Sequence, residues 1–129
     1  MASILIVDDE PYVRELLCAA MPREGHRTAT AVNGLQALQI LDEQGPFDVV
    51  LTDYHMPILD GRELTRSILA RKDREPLPVI MLSGDPDALL FREVFTALEK
   101  PIDLKSLIAA VDAAMLYRTS AAWGKANPT

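Results

Sequence analysis

The sequence predicts an α/β domain built on a five-stranded parallel sheet with helices on both faces. Three observations predict it. Short, nearly unbroken apolar runs occur at residues 3–7, 47–52 and 78–82; apolar residues recur at helical spacing between such runs; and the two patterns alternate regularly along 129 residues. Runs rich in Ile, Val and Leu without polar alternation suit central strands covered on both faces. Strand and helix in strict alternation specify a parallel sheet with right-handed crossovers.

Residues 3–7 form the first strand. Pro11 suits the first turn of the helix after it, where its missing N–H is no loss. Val13, Leu16, Leu17, Ala20 and Met21 then recur at i, i+3, i+4, i+7 and i+8. Residues 26–31 are more polar and alternating, a second strand at an edge, and Asn33 is placed to start the second helix. Residues 47–52 form the third strand, after which Asp60 and Glu63 make a capping-box-like pair announcing the third helix. Residues 78–82 form the fourth strand, and Asp85 before Pro86 opens a fourth helix. Residues 96–98 are a short fifth strand. Asp103 opens a fifth helix with Leu104, Leu107, Ile108, Val111 and Met115 on one face. The weaker apolar character of the second and fifth strands fits them as the edges of the flavodoxin-like order 2-1-3-4-5.

Size and composition agree with one domain, expected over residues 1–123 with a tail at 124–129. A chain of 129 residues buries about two thirds of its unfolded surface. Apolar residues make up 49% and charged residues 25%, ordinary globular values. With 13 basic and 19 acidic residues the net charge is -6, which repels nucleic acid and anionic lipid in the absence of a basic patch. The most basic stretch, residues 66–74, is interrupted by Asp73 and reads as the solvated end of a helix. Cys18, the single cysteine, permits no internal disulfide and reads as a small buried filler. The opening apolar run is too short for a signal-peptide core and no run approaches membrane-spanning length, so a cytoplasmic protein is expected.

The chemistry is expected at the carboxyl ends of the strands, where ligands of such sheets bind. Asp8 and Asp9 come directly after the first strand and Asp53 ends the third, so three carboxylates converge. Two unit charges about 4 Å apart repel by about 4 kcal/mol at an effective dielectric of 20, so a proton or a cation must compensate them. With oxygen donors only, Mg²⁺ fits best and Mn²⁺ could substitute. Ser83 with Gly84 and Lys100 with Pro101 stand at the ends of the fourth and fifth strands. A phosphoryl group on Asp53 could then be held by the cation, the Lys100 ammonium, the Ser83 hydroxyl and backbone N–H groups near Gly84.

These residues resemble the receiver domain of bacterial two-component response regulators over essentially the whole chain. The resemblance rests on ILIVDDEP at 4–11, DVVLTDYHMPILDG at 48–61, PVIMLSG at 78–84 and KP at 100–101. It implies that Asp53 is the phosphoacceptor and that Asp9, Asp53 and the backbone carbonyl of His55 ligate Mg²⁺, with Asp8 acting mainly through water. It implies further that Ser83 and Lys100 take the family's hydroxyl and lysine positions, and that the Lys100–Pro101 peptide is cis. The donor would be a histidine kinase or phosphotransfer protein and the listener an unknown downstream protein. A kinase would dock along the first helix and the loop after the fifth strand, making Arg14, Cys18 and Ile102 candidate contacts.

Two departures bear on output. Ala97 stands where the family usually carries an aromatic residue, and the stretch from Ser83 to Lys100 is short, so the fourth helix should be short or irregular. With no second domain after the fifth helix, action through protein partners or phosphoryl relay is expected. His55 and Asp85 are expected to border the path of hydrolytic water and tune the acyl phosphate's lifetime. His26 is read as non-catalytic, and Met115, Tyr117 and Trp123 as core cover or helix end.

Three other functions compete with this one. An aspartyl-phosphate phosphohydrolase, as in the haloacid dehalogenase-like family, needs a second Asp two residues beyond the nucleophile, where this chain has His55. A receiver-like interaction module working without phosphate is favoured by Ala97 and the short fourth helix, and opposed by retention of the site residues. A dinucleotide fold would place glycines after the first strand, where carboxylates stand instead.

Overall fold

The computed structural model describes residues 2–71 and 77–118. β1 (Ser3–Val7), β2 (Arg27–Ala31), β3 (Val49–Asp53), β4 (Val79–Ser83) and β5 (Thr96–Glu99) form one parallel sheet. Their order is β2-β1-β3-β4-β5, as the sequence predicts. β3 and β4 are buried along their whole length, whereas β2 and β5 carry exposed residues, so the polar strands do lie at the edges.

Helices α1 (Pro11–Ala20), α2 (Gly34–Gln44), α3 (Gly61–Leu69) and α4 (Leu104–Arg118) cover both faces. α1 and α4 enclose one core with Ile4, Ile6, Leu51 and Ile80 of the sheet, contributing Leu17, Leu107, Val111 and Ala114. α2 and α3 enclose the other against Leu5, Val7 and Val50, contributing Ala37, Leu41, Leu64 and Ile68. Burying each of the Leu, Ile and Val side chains among them contributes about 1.5–3 kcal/mol, the term that offsets the entropy of ordering the chain.

The helix starts obey their sequence signals. Pro11 opens α1. Asn33 Oδ1 accepts from the Gln36 N–H of α2 at 2.8 Å. Asp60 and Glu63 form the reciprocal capping box of α3, satisfying two N–H groups that a helix start leaves open. α1 runs into a 3-10 turn, Met21–Glu24, that stops at Gly25, whose φ of 82° suits a residue without Cβ.

Two details differ from the sequence reading and a third agrees with it. The third strand begins at Val49: Phe47 is only 9% exposed but precedes the ladder, behind a cis Gly45–Pro46 peptide. Leu16 is 40% exposed, because a helix resting on a sheet buries the line Val13, Leu17, Met21 and leaves the i+3 position at its rim. The fourth crossover has no α-helix; its ordered part is a 3-10 turn, Pro86–Leu90, in line with the expected short or irregular element. Cys18 is half-buried against the first core, as are Met115 and Ile102. The Tyr117 ring packs on Phe95 with centroids 5.4 Å apart, and His26 Nδ1 accepts from the Ala2 N–H. Trp123 and the tail at 124–129 lie outside the described residues.

Candidate functional site

Parallel strands bring their carboxyl ends to one edge, and that edge collects the chemistry. Asp8 and Asp9 lie just past β1, Asp53 ends β3, Ser83 ends β4, and Lys100 comes directly after β5. Each of the three carboxylates offers an oxygen within 4.8 Å of the others. Asp8 and Asp53 are buried, at 1% and 7% exposure, while Asp9 is exposed.

Lys100 Nζ lies 3.3 Å from Asp53 Oδ1 and 3.4 Å from Asp8 Oδ2, bridging the two buried carboxylates. Backbone donors assist: the Tyr54 N–H donates to Asp53 Oδ1 and the Glu10 N–H to Asp8 Oδ1, each at 2.9 Å. Burial nonetheless pushes the Asp8 carboxyl above its ordinary range, and burial together with the charge of Asp8 does the same to Asp53. Burial pulls the Lys100 ammonium downward, but the charges of Asp53 and Asp8 outweigh it and the net shift is upward. The lysine therefore stays charged while the carboxylates remain under-compensated.

That imbalance indicates what the site can hold. One ammonium against three carboxylates leaves two negative charges, the charge of one divalent cation. The donors are all oxygen, and the exposed Asp9 leaves room for water, the combination that suits Mg²⁺. An open cleft of about 340 Å³ lined by Asp9, His55, Met56, Pro57 and Asp60 adjoins the cluster.

Ser83, 3% exposed, lies one step beyond the β4 residue paired with Asp53. Its Oγ accepts from the Asp85 N–H at 3.0 Å, so the hydroxyl proton remains free for an acceptor at the site. The Lys100 N–H donates to the Ser83 carbonyl at 2.9 Å, which fixes the root of the lysine. The Lys100–Pro101 peptide is cis, as the resemblance implied.

His55 does not turn its ring toward the acid cluster. Its Nε2 meets Asp85 Oδ2 at 2.6 Å, closing a bridge between the loops after β3 and β4, and the ring is 66% exposed. The hydrogen bond from His55, then that from the Asp87 N–H, lowers the Asp85 carboxyl.

One participant escaped the sequence reading. Arg14, a candidate docking residue by resemblance, spends its guanidinium on the site: Nη1 donates to the Asp8 carbonyl at 2.7 Å, tying α1 to the loop that carries Asp8 and Asp9. Its only sequence signal is a long cation one turn into the helix after an acidic loop. A second cavity, of about 190 Å³, is lined by Leu41, Phe47 and Ile68 with Arg71 and Arg118. Both arginines are already paired there, with Asp42 and Asp48.

A doubly wound parallel sheet whose switch point gathers three carboxylates able to hold a metal ion, a lysine and a hydroxyl is the architecture of a receiver-type domain. The model of the response regulator receiver domain matches residues 4–112, and the chain belongs to that family. It is 34% identical over 119 residues to the transcriptional regulatory protein GlrR of Escherichia coli K12, covering 88% of this chain and 26% of that protein. It is 34% identical over 111 residues to sporulation initiation phosphotransferase F of Bacillus subtilis, covering 84% of this chain and 89% of the relative. Among solved structures, the response regulator TrrA of Thermotoga maritima in complex with Mg²⁺ and beryllium fluoride superposes with a TM-score of 0.78. The identity is 31%, over 88% of this chain and 99% of that one. The chain spans about a quarter to under half the length of the first curated relatives it matches.

Proposed function

We propose that Asp53 accepts a phosphoryl group from the phosphohistidine of a histidine kinase or phosphotransfer protein in a Mg²⁺-dependent reaction, and that the product signals or relays through a protein partner. The observation that carries this reading is Lys100, held 3.3 Å from Asp53 within a three-carboxylate cluster.

An Asp53 carboxylate oxygen attacks phosphorus in line. The P–N bond breaks, its electron pair returns to the imidazole, and an acyl phosphate forms. Tyr54 N–H and Lys100 fix the Asp53 carboxylate before attack, the positional part of catalysis. Lys100 and the Ser83 hydroxyl then meet charge on the phosphoryl oxygens. Asp8, Asp9, Asp53 and the His55 carbonyl would hold Mg²⁺, with Mn²⁺ as a substitute, and the ion would supply charge neutralisation and a template for the transferring group. Such a chain regulates rather than turns over an external substrate, in a cytoplasmic setting shared with the kinase. The likeness over nearly its whole length to a protein named as a phosphotransferase supports a relay.

The test is intact mass after incubation with Mg²⁺ and acetyl phosphate. A single phosphoryl adduct is expected, absent from Asp53→Asn and from chelated protein. No adduct from folded protein that binds Mg²⁺ would favour a phosphorylation-independent interaction module. The bridge between His55 and Asp85 sits at the mouth of the site and should tune the acyl phosphate's lifetime. Replacing both with alanine should change the dephosphorylation rate several-fold, and an unchanged rate would sink that role.

A further inference from the structure

The amino ends of the strands, the pole of the sheet away from the acid cluster, carry the second cavity. Three helices finish around it: Leu41 lies in the last turn of α2, Ile68 in that of α3 with Arg71 just beyond, and Arg118 is the last residue of α4. Phe47 and Leu77, which precede β3 and β4, complete the wall around about 190 Å³. Leu41, Phe47 and Ile68 belong to the core under α2 and α3, so the cavity extends that core outward. An apolar hole of about 150 Å³ holds benzene, and this one has room for a somewhat larger ring.

The polar groups around the cavity narrow the chemistry of what fits. Arg71 and Arg118 line it with side chains only 19% and 14% exposed. Each is engaged by a carboxylate, Arg71 by Asp42, and Arg118 Nη1 by Asp48 Oδ1 at 2.8 Å. An anionic ligand would have to displace those carboxylates. The face of a neutral aromatic ring attracts a guanidinium without taking its hydrogen bonds. Helix ends add a second constraint, since they carry partial negative charge and the last four carbonyls of a helix have no intrahelical partner. Gly45 leaves α2 in an extended conformation, φ -66° and ψ 172°, rather than in the left-handed turn that folds N–H groups back onto those carbonyls. A ring bearing an N–H or O–H donor therefore suits this pole better than one bearing an acceptor.

We propose that this cavity is a binding site for a neutral aromatic ring carrying a hydrogen-bond donor, of the size and chemistry of indole. The ring packs against Leu41, Phe47, Ile68 and Leu77, its face meets the guanidinium groups, and its N–H turns toward the carbonyls that end α2. The site is independent of the reading of Asp53 as phosphoacceptor, because it draws on the opposite ends of the strands. Two sources can supply such a ring. One is a free small molecule. The other is the chain's single tryptophan, Trp123, five residues past Arg118 in the sequence, a span of about 17 Å at full extension.

The test titrates free indole into the full-length chain and into Trp123→Ala, both labelled at Ile and Leu methyl groups, and reads nuclear Overhauser contacts from ring protons to the methyls of Ile68 and Leu41. Trp123→Ala should bind indole saturably, with a Kd of about 1 mM or tighter and contacts to both residues. Equal binding by the unaltered chain would support the site and assign it to an external ligand. Contacts from Trp123 itself, with indole bound about tenfold or more weakly than by Trp123→Ala, would support the site and assign it to the chain's own ring. Leu77→Trp in the Trp123→Ala background fills the hole from its rim and should weaken indole binding about tenfold or more. Undiminished binding by that variant in folded form would overturn the proposal. If the variant does not fold, the contacts to Ile68 decide alone, and their absence from both chains at about 5 mM indole would overturn it equally.

Discussion

The crossover from β3 into α3 and the crossover from β4 into β5 leave the same edge of the sheet one strand apart, yet they differ in almost everything that stiffens a backbone. The first carries a full capping box, three fully or nearly fully buried side chains in Leu64, Thr65 and Ile68, and Gly61 pressed against the end of β3. The Gly61 N–H donates to the Tyr54 carbonyl at 2.9 Å, and a Cβ there would lie 2.2 Å from the Asp53 carbonyl oxygen. The second has one 3-10 turn and one buried alanine. Asp53 is thus mounted on rigid structure, while the Ser83 hydroxyl beside it opens onto a segment with little holding it. A signalling site needs both, a fixed place for chemistry and a nearby element with little holding it back.

Substitutions can break that comparison. Gly61→Ala should have the largest effect, since both close neighbours, the Asp53 carbonyl and Met81 Sδ at 2.9 Å, belong to packed structure. A loss of about 3 kcal/mol or more is expected, lowering the melting temperature by about 10 °C or more. A loss below about 1 kcal/mol would show the first crossover to be softer than described. Leu64→Ala, at a position with 0% exposure, should lose about 3 kcal/mol in urea titration, whereas Leu90→Ala in the second crossover should stay within about 0.5 kcal/mol.

Between these lies the charge of the site. In chelated protein the buried Asp8 and Asp53 carboxyls titrate above their ordinary value of 3.8. Raised carboxyls contribute stability that is full below the unfolded value and is lost as pH rises through the folded one. Metal-free protein should therefore lose stability from about pH 4 upward, and Mg²⁺ should restore more of it at pH 7.5 than at pH 5. Asp8→Asn removes a repulsion between carboxylates within 4.8 Å of each other, about 3 kcal/mol or more at an effective dielectric of 20, partly offset already by Lys100. It should raise the metal-free melting temperature by several degrees and flatten its pH dependence, as differential scanning fluorimetry would show. The smaller effect is at Arg14: Arg14→Gln loses one hydrogen bond, about 1 kcal/mol, and should lower the melting temperature by only about 3 °C while weakening Mg²⁺ binding at the loop it ties down, as titration calorimetry would show.

The two crossovers also differed in how well the sequence announced them. Asp60, Glu63 and Gly61 are local signals, because a capping box acts within four residues, and α3 could be placed from them alone. Asp85–Pro86 gives a start signal of the same kind, but the stretch from Ser83 to Lys100 is several residues shorter than the family commonly carries, and that length announced the irregular segment. The acid cluster was legible because topology, once read from the apolar runs, dictates which strand ends meet. The Asp8 carbonyl to Arg14 contact and the seat of Phe91 against Tyr54 and Met81 were not legible, since each depends on where a long side chain turns after the backbone is set. Leu16 failed for a related reason: periodicity gives the width of an apolar stripe and not which of its margins the sheet covers.

The strand order bears, finally, on how the molecule is made. β1 is central to β2 and β3, and all three lie within the first 53 residues, so a three-stranded sheet can close before β4 emerges. β4 and β5 then add singly at one edge, and the tie from Lys100 to Asp8 spans 92 residues, a long-range contact of the kind that comes late in folding. Lys100 therefore reaches the acid cluster last. Until it does, the nascent domain holds its carboxylates without their lysine, and divalent cation should speed the closing steps. Stopped-flow refolding with and without Mg²⁺ would show this as a faster final phase, lost in Asp8→Asn.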